Sequence, residues 1–199
     1  MHEIAAVILA AGRATRFRAA STLPTKLTAL WRGMGLVRHV AEVALASQAR
    51  PVIVVTGFAR DAVEAALAGL PLAFVHNADF ASGLAGSLKA ALETVPGECA
   101  GALVMLGDMP QVRPATLDAM ISAFRHRDAR ALVPVHNGQS GNPVLVGRTL
   151  FSEIASLSGD QGARRLLSTL QAGVIAWACD DPGILADIDT PDGLANLPD

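Results

Sequence analysis

Apolar residues fall along this chain in short dense runs separated by amphipathic stretches. Ile4-Ala5-Ala6-Val7-Ile8-Leu9, Pro51 to Thr56, Leu72 to His76 and Ala102 to Leu106 read as strands, most of them apolar enough to be buried on both faces. Between them, Leu36-Val37, Val40 and Val43-Ala44 recur at helical spacing to about Ser47, and residues 59–68 and 84–95 suit helices. Pro114 stands at a helix start ahead of Leu117, Met120, Ile121 and Phe124 on one face, and Ala131 to Val135 makes a further strand. The order then loosens. Asn142 to Val146 reads as extended, residues 148–156 and 160–171 as helical, Val174 to Ala178 as a strand, and Asp189-Thr190-Pro191 as the cap of a last short helix. This alternation predicts an α/β fold: three layers around a doubly wound, mostly parallel, Rossmann-like sheet.

Composition narrows the class. With 199 residues, 51% of them hydrophobic and 17% charged, the chain suits one domain over residues 1–199, and no repeat, low-complexity tract or linker divides it. A net charge of −2 offers no global field for nucleic acid or an anionic membrane, so any phosphate site must be local. Cys99 and Cys179 belong to no CxxC or Cys/His cluster, which argues against a disulfide framework or a zinc site. No signal-peptide pattern opens the chain, and no apolar stretch reaches the roughly 18 residues of a membrane span. A soluble, cytoplasmic protein is expected.

In sheets of this kind, ligands bind beyond the carboxyl ends of the strands. There the first run empties into Ala10-Ala11-Gly12-Arg13-Ala14-Thr15-Arg16, with Lys26 farther on. Small residues let backbone N–H groups approach a polyphosphate, and Arg and Lys neutralise its charge. The spacing is neither GxxxxGK[ST] nor GxGxxG, which disfavours a dinucleotide-dependent oxidoreductase. The second feature is Leu106-Gly107-Asp108-Met109-Pro110, where an aspartate at the mouth of the sheet can hold Mg²⁺ against nucleotide phosphates. Alone, such an aspartate is more often a turn or cap residue. Paired with the first loop, it points to metal binding.

Further motifs follow in order: Asn77 with Phe80-Ala81-x-Gly83-Leu84 and Ser87-Leu88, then Gly141-Asn142-Pro143-Val144, Gly159-Asp160-x-Gly162-Ala163 and Asp187-Ile188-Asp189-Thr190-Pro191. Together with the first loop and Gly107-Asp108-Met109-Pro110, they resemble the MobA-like NTP transferase family over nearly the whole chain. Ala10-Ala11-Gly12 and the Gly-Asp-Met-Pro form resemble its branch of cytidylyltransferases that act on the molybdenum cofactor.

The resemblance implies Mg²⁺-dependent transfer of CMP from CTP to the phosphate of molybdopterin, with Mn²⁺ as an alternative metal. A molybdenum hydroxylase or a cofactor chaperone would be the protein partner. It further implies Arg16, Lys26 and Asp108 as catalytic residues, and Asp108 and Asp189 as metal ligands, with Asp187 less favoured. Leu9, Ala10, Ala11, Gly12, Arg13, Gly83, Ser87, Gly107 and Asn142 would surround nucleotide and acceptor. The alternatives are the same transfer with GTP or another phosphorylated acceptor, or nucleotide binding without catalysis. Four departures from the family pattern stand out: Arg18 in place of glycine, the long Phe17 to Thr25 segment, Gly33-Met34-Gly35-Leu36 in place of Gly-x-Pro-Leu, and Asn142 where histidine is common.

No Ser/His/Asp or Cys/His constellation is evident. A phosphate acceptor, ionised near neutral pH, needs no obligatory general base. His39 and His126 read as surface or helix-terminal residues, and His76 and His136 lie nearer the inferred site without a catalytic role. Trp31 and Trp177 suit the core or an interface.

Overall fold

The run at the start of the chain becomes the central strand β1 (Ile4–Ala10), buried at every position. Alternation of side chains across a strand explains why it has no polar face: Ile4, Ala6, Ile8 and Ala10 enter one core, and Ala5, Val7 and Leu9 the other. The structure is a computed structural model and describes residues 3–127, 129–156, 159, 167 and 173–197. The helix expected over 160–171, with Asp160, Gly162 and Ala163, lies outside the described residues, apart from Leu167, which is buried in the second core.

After a short helix α1 (Thr15–Arg18) comes a hairpin of β2 (Leu30–Trp31) and β3 (Met34–Gly35), then α2 (Leu36–Ala46), β4 (Val52–Thr56), α3 (Arg60–Ala66) and β5 (Ala73–His76). The chain continues with α4 (Leu84–Thr94), β6 (Gly101–Leu106), α5 (Pro114–His126), β7 (Ala131–His136), β8 (Gln139–Ser140) and β9 (Val144–Gly147). It closes with α6 (Phe151–Ala155), β10 (Val174–Ala178) and α7 (Pro191–Ala195).

The main sheet runs β10-β7-β9-β6-β1-β4-β5, with β8 paired to β7. The pairs β1·β4, β1·β6, β4·β5 and β7·β10 are parallel, whereas β9 is antiparallel to both β6 and β7. The mostly parallel sheet is therefore mixed, and the extended segment read at Asn142 to Val146 is its reversed strand. Helices cover both faces. Val37, Val40, Val63, Leu117, Met120 and Ile121 pack from α2, α3 and α5 on one side, and Leu88, Leu92 and Ile154 from α4 and α6 on the other. Each such side chain contributes about 1.5–3 kcal/mol of burial, which holds α2 and α4 in place although neither has a side-chain N-cap.

Cys99 and Cys179 are both free thiols. No described helix is long and apolar enough to cross a membrane. Trp31 packs against His39, with ring centroids 4.8 Å apart, and the His39 ring nitrogen lies 2.7 Å from the Trp31 carbonyl oxygen. Gly33, at φ 77°, closes the hairpin between them in a conformation that few other residues adopt.

Candidate nucleotide-binding site

The carboxyl ends of β1 and β6 open onto one cleft of about 560 Å³. The loop after β1 turns through Ala14, whose φ of 48° lies in the left-handed region, into α1, where buried Phe17 anchors it. It lies directly against the end of β4. The Phe58 N–H donates to the Ala11 carbonyl at 3.3 Å, and a Cβ at Gly57 would stand 2.7 Å from the Cβ atoms of both Ala11 and Phe80. Only glycine permits that approach. Nothing in the loop motif itself foretells this; the one sequence signal is a glycine placed immediately after a buried strand.

Lys26 opens a short 3₁₀ turn, Lys26–Thr28, capped by the buried Thr25 hydroxyl, which accepts from the Leu27 N–H. Asp108 sits just past β6, where the Gly107 N–H donates to the Leu9 carbonyl at 3.1 Å. Asp189 arrives from the far end of the chain. The helix start expected at Asp189-Thr190-Pro191 forms α7, and its cap is Thr190, whose hydroxyl accepts from the Gly193 N–H at 3.1 Å. The Asp189 carboxylate is thereby left for the cleft.

These side chains meet. The Lys26 ammonium lies 2.6 Å from Asp108 Oδ2 and 2.8 Å from Asp189 Oδ1, and Arg16 also pairs with Asp189. Burial works against the charge of Lys26, but Asp108 and then Asp189 outweigh it and hold its pKa above the ordinary lysine value. Burial pushes the carboxyl of Asp108 up, against the pull of Lys26, and nearby Asp187 adds to the push. Asp189 goes the other way: the hydrogen bond from Lys26 holds it below the usual carboxylate range, aided by the charges of Lys26 and Arg16. Asp187 itself is exposed and outside the cleft lining.

Two observations bear on a divalent cation. Asp108 Oδ1 is buried without a hydrogen-bond partner, an expensive condition that a cation would relieve. Among the described residues, no group of three His, Cys, Asp or Glu could hold a metal unaided. A pair of carboxylates with an open oxygen suits Mg²⁺ or Mn²⁺ shared with substrate phosphates better than a closed protein cage.

The opposite wall is the start of α4. Gly83, at φ 108° and ψ −175°, makes a turn essentially restricted to glycine. Asn77 donates to the Ser87 hydroxyl at 3.0 Å and accepts from the Asp79 N–H, which ties the end of β5 to α4. One helix-terminal donor is already committed, since the Ala85 N–H bonds the Gly159 carbonyl at 3.0 Å.

Of the residues singled out in the sequence, Leu9, Gly12, Arg13, Arg16, Lys26, Gly83, Ser87, Asp108 and Asp189 line the cleft. Ala10 and Ala11 are buried in the two cores behind it, and Gly107 supports its floor as backbone. Asn142 is not among the lining residues; its N–H bonds the Ile184 carbonyl at the same end of the sheet. Thr25, Phe80 and Leu84 line the cleft without having been singled out as site residues. Arg18, the departure from glycine, lies over the Phe58 ring at 4.5 Å, and Phe58 meets Phe80 edge-on at 5.9 Å.

Residues 6–181 match the model of the MobA-like NTP transferase domain. The chain is 30% identical over 142 residues to the molybdenum cofactor cytidylyltransferase of Escherichia coli K12, covering 71% of this chain and 70% of that protein. It is 33% identical over 183 residues to the bifunctional protein GlmU of Clavibacter sepedonicus, but spans only 36% of that relative's length. Among solved structures, Rv0371c from Mycobacterium tuberculosis H37Rv superposes with a TM-score of 0.82 at 31% identity, covering 98% of this chain and 96% of that one. The same mycobacterial protein has also been solved in complex with manganese, with a TM-score of 0.77 and 30% identity over 98% of this chain and all of that one.

Proposed function

This chain belongs to the MobA-like NTP transferase family and is a nucleotidyltransferase, and from that premise we propose that it transfers CMP from CTP to the phosphate of molybdopterin. The observation that carries the reading is the junction of Lys26, Asp108 and Asp189 at the mouth of β1 and β6, with one Asp108 oxygen left open. The choice of CTP and molybdopterin rests on the likeness to the E. coli cytidylyltransferase and on Ala10-Ala11-Gly12 and Gly107-Asp108-Met109-Pro110.

An acceptor phosphate oxygen attacks the α-phosphorus of CTP; a new P–O bond forms, the bond to the β-phosphate breaks, and pyrophosphate leaves. Asp108 and Asp189 would hold Mg²⁺, which when bound supplies Lewis-acid stabilisation of charge on the phosphates. The chain's own residues do the rest. Backbone N–H groups after β1 cradle the triphosphate, and exposed Arg13 and Arg16 neutralise it. Lys26, protonated across the working pH range, donates to phosphate oxygens while balancing the carboxylates. Phe80, Leu84 and Leu106 give the cleft apolar walls that hold the reactants in line. No side chain has to take a proton from an acceptor that is already ionised.

Pyrophosphate release with CTP, GTP, ATP or UTP, with and without molybdenum-loaded molybdopterin, tests this directly. Release that requires CTP and pterin, and is lost in Asp108→Ala, supports the assignment. Release with another nucleotide keeps the chemistry and changes the specificity. Tight CTP binding with no release under any condition would replace the transferase reading with a binding role.

A further inference from the structure

Asp189 belongs to an irregular stretch. Between the 3₁₀ turn Pro182–Leu185 and α7, residues 186–189 adopt no regular structure, so no backbone ladder of their own fixes the carboxylate against Lys26. Contacts with other segments do. The Ile188 N–H donates to the Asp108 carbonyl at 3.2 Å, and the Asn142 N–H to the Ile184 carbonyl at 2.9 Å.

The start of the stretch is held by a side chain that the transfer chemistry leaves unused. Asp181 is 3% exposed. Its Oδ2 accepts from the Arg113 N–H at 2.9 Å and from the Thr116 hydroxyl at 2.6 Å, and its Oδ1 from the Gly183 N–H at 3.0 Å. Arg113 Nε lies 3.5 Å from the same Oδ1. Arg113 and Thr116 belong to the start of α5, at the end of the loop that follows Asp108. Gly183 completes the contact, because a Cβ there would stand 2.3 Å from the Gln111 carbonyl oxygen.

A cap for α5 would need only the bonds to Arg113 and Thr116, and a local turn only the bond to Gly183. Asp181 makes both sets at once. One desolvated carboxylate, fully hydrogen-bonded as burial demands, thus joins the segment carrying Asp189 to the loop carrying Asp108.

We infer that Asp181 is a positioning residue of the transferase site: it sets the separation of Asp108 and Asp189 and so determines how tightly the pair holds a divalent cation. This rests on the metal reading proposed above. Groups that orient metal ligands from outside the coordination sphere typically contribute about 10- to 100-fold in affinity.

The test is a Mn²⁺ titration of the full chain, followed by the electron paramagnetic resonance signal of free Mn²⁺, with the metal alone and with CTP. Asp181→Asn, Thr116→Val and Asp189→Asn are compared with the unmodified protein, and thermal melting is recorded for each. Asp181→Asn is expected to bind Mn²⁺ about tenfold more weakly, with CTP binding in the absence of metal unchanged and turnover restored by excess Mn²⁺. Thr116→Val, which leaves the carboxylate in place, is expected to show a smaller loss. Mn²⁺ affinity equal to that of the unmodified protein in both variants, whatever their melting temperatures, overturns the inference. Should Asp181→Asn not fold, Thr116→Val decides alone. Mn²⁺ binding insensitive to Asp189→Asn would instead remove the metal reading itself, and the inference with it.

Discussion

Asp108 and Asp189 approach the same ammonium from two differently built regions. Asp108 continues a strand buried on both faces, and its position is inherited from the register of β6 against β1. Asp189 is half-exposed on an irregular segment, and its position is the sum of separate hydrogen bonds to Asp108, Asn142 and the start of α5. The pKa directions follow the construction. The more buried carboxylate bears the desolvation and is pushed up, whereas the half-exposed one gains from Lys26 more than it loses and is held down. The pair therefore combines a more buried carboxylate fixed by strand register with a half-exposed one held by bonds between separate segments.

The largest expected effect comes from removing the fixed member. Asp108→Ala is expected to lower the rate of pyrophosphate release by about 100- to 1,000-fold, the usual scale for losing one organised electrostatic contact. Cooperative melting should persist, because the residue contributes little to either core. Turnover unchanged in this variant would end the claim that the two carboxylates work as a pair.

Next is Gly57→Ala, which strikes the fixed region through packing alone. Its Cβ would lie 2.7 Å from Ala11 and Phe80 and 2.9 Å from the Ala11 carbonyl oxygen. Overpacking of this kind costs about 1–3 kcal/mol. Thermal melting and the KM for nucleotide should worsen together; a change in melting alone would detach the β4 end from the proposed role of the loop after β1.

The pH dependence sharpens the comparison without mutating the site. The stability contributed by Asp108, whose folded pKa is raised, is full below the unfolded carboxylate value and lost as pH rises through the folded one. That of Asp189 is present above the unfolded value and lost as pH falls through its depressed folded one. Carboxyl NMR titration of the metal-free protein should place Asp108 above and Asp189 below an ordinary aspartate. Coincident titration would dissolve the contrast.

The smallest effect is expected from Arg18→Ala. The guanidinium rests on Phe58 at an exposed position, where such stacking is worth about 0.5–1 kcal/mol. A slight fall in melting temperature with kcat intact is the expected result.

The same contrast explains what could be read from the sequence. Strands such as β1, β4 and β6 announce themselves as unbroken apolar runs, and a motif that continues such a run inherits its place in the fold; that is why the loop after β1 and Asp108 were legible. The β2–β3 hairpin, two residues a side, is too short to carry a period, and alternation along residues 144–147 does not state strand direction. Asn142 was expected around nucleotide and acceptor because its motif resembles one of the family's, yet its placement depends on a hydrogen bond to Ile184, more than forty residues later. Gly57 and Asp181 were illegible for a related reason. Each acts through segments remote in sequence: Gly57 by what it lacks, Asp181 by joining two loops.

The reversed strand β9 enters the sheet from the end beside the cleft. Its neighbours β6 and β7 finish at the carboxyl end of the sheet, whereas β9 begins there, with Val144 opposite Val104. An insertion or deletion in the turn before β9 would therefore reshape the sheet end beside the cleft while leaving the lengths and register of β1, β4 and β6 as they are. The scaffold is hinged in design rather than in motion: the sheet end beside the cleft can be recut by changes in loop length while the lining that carries Lys26, Asp108 and Asp189 stays as it was.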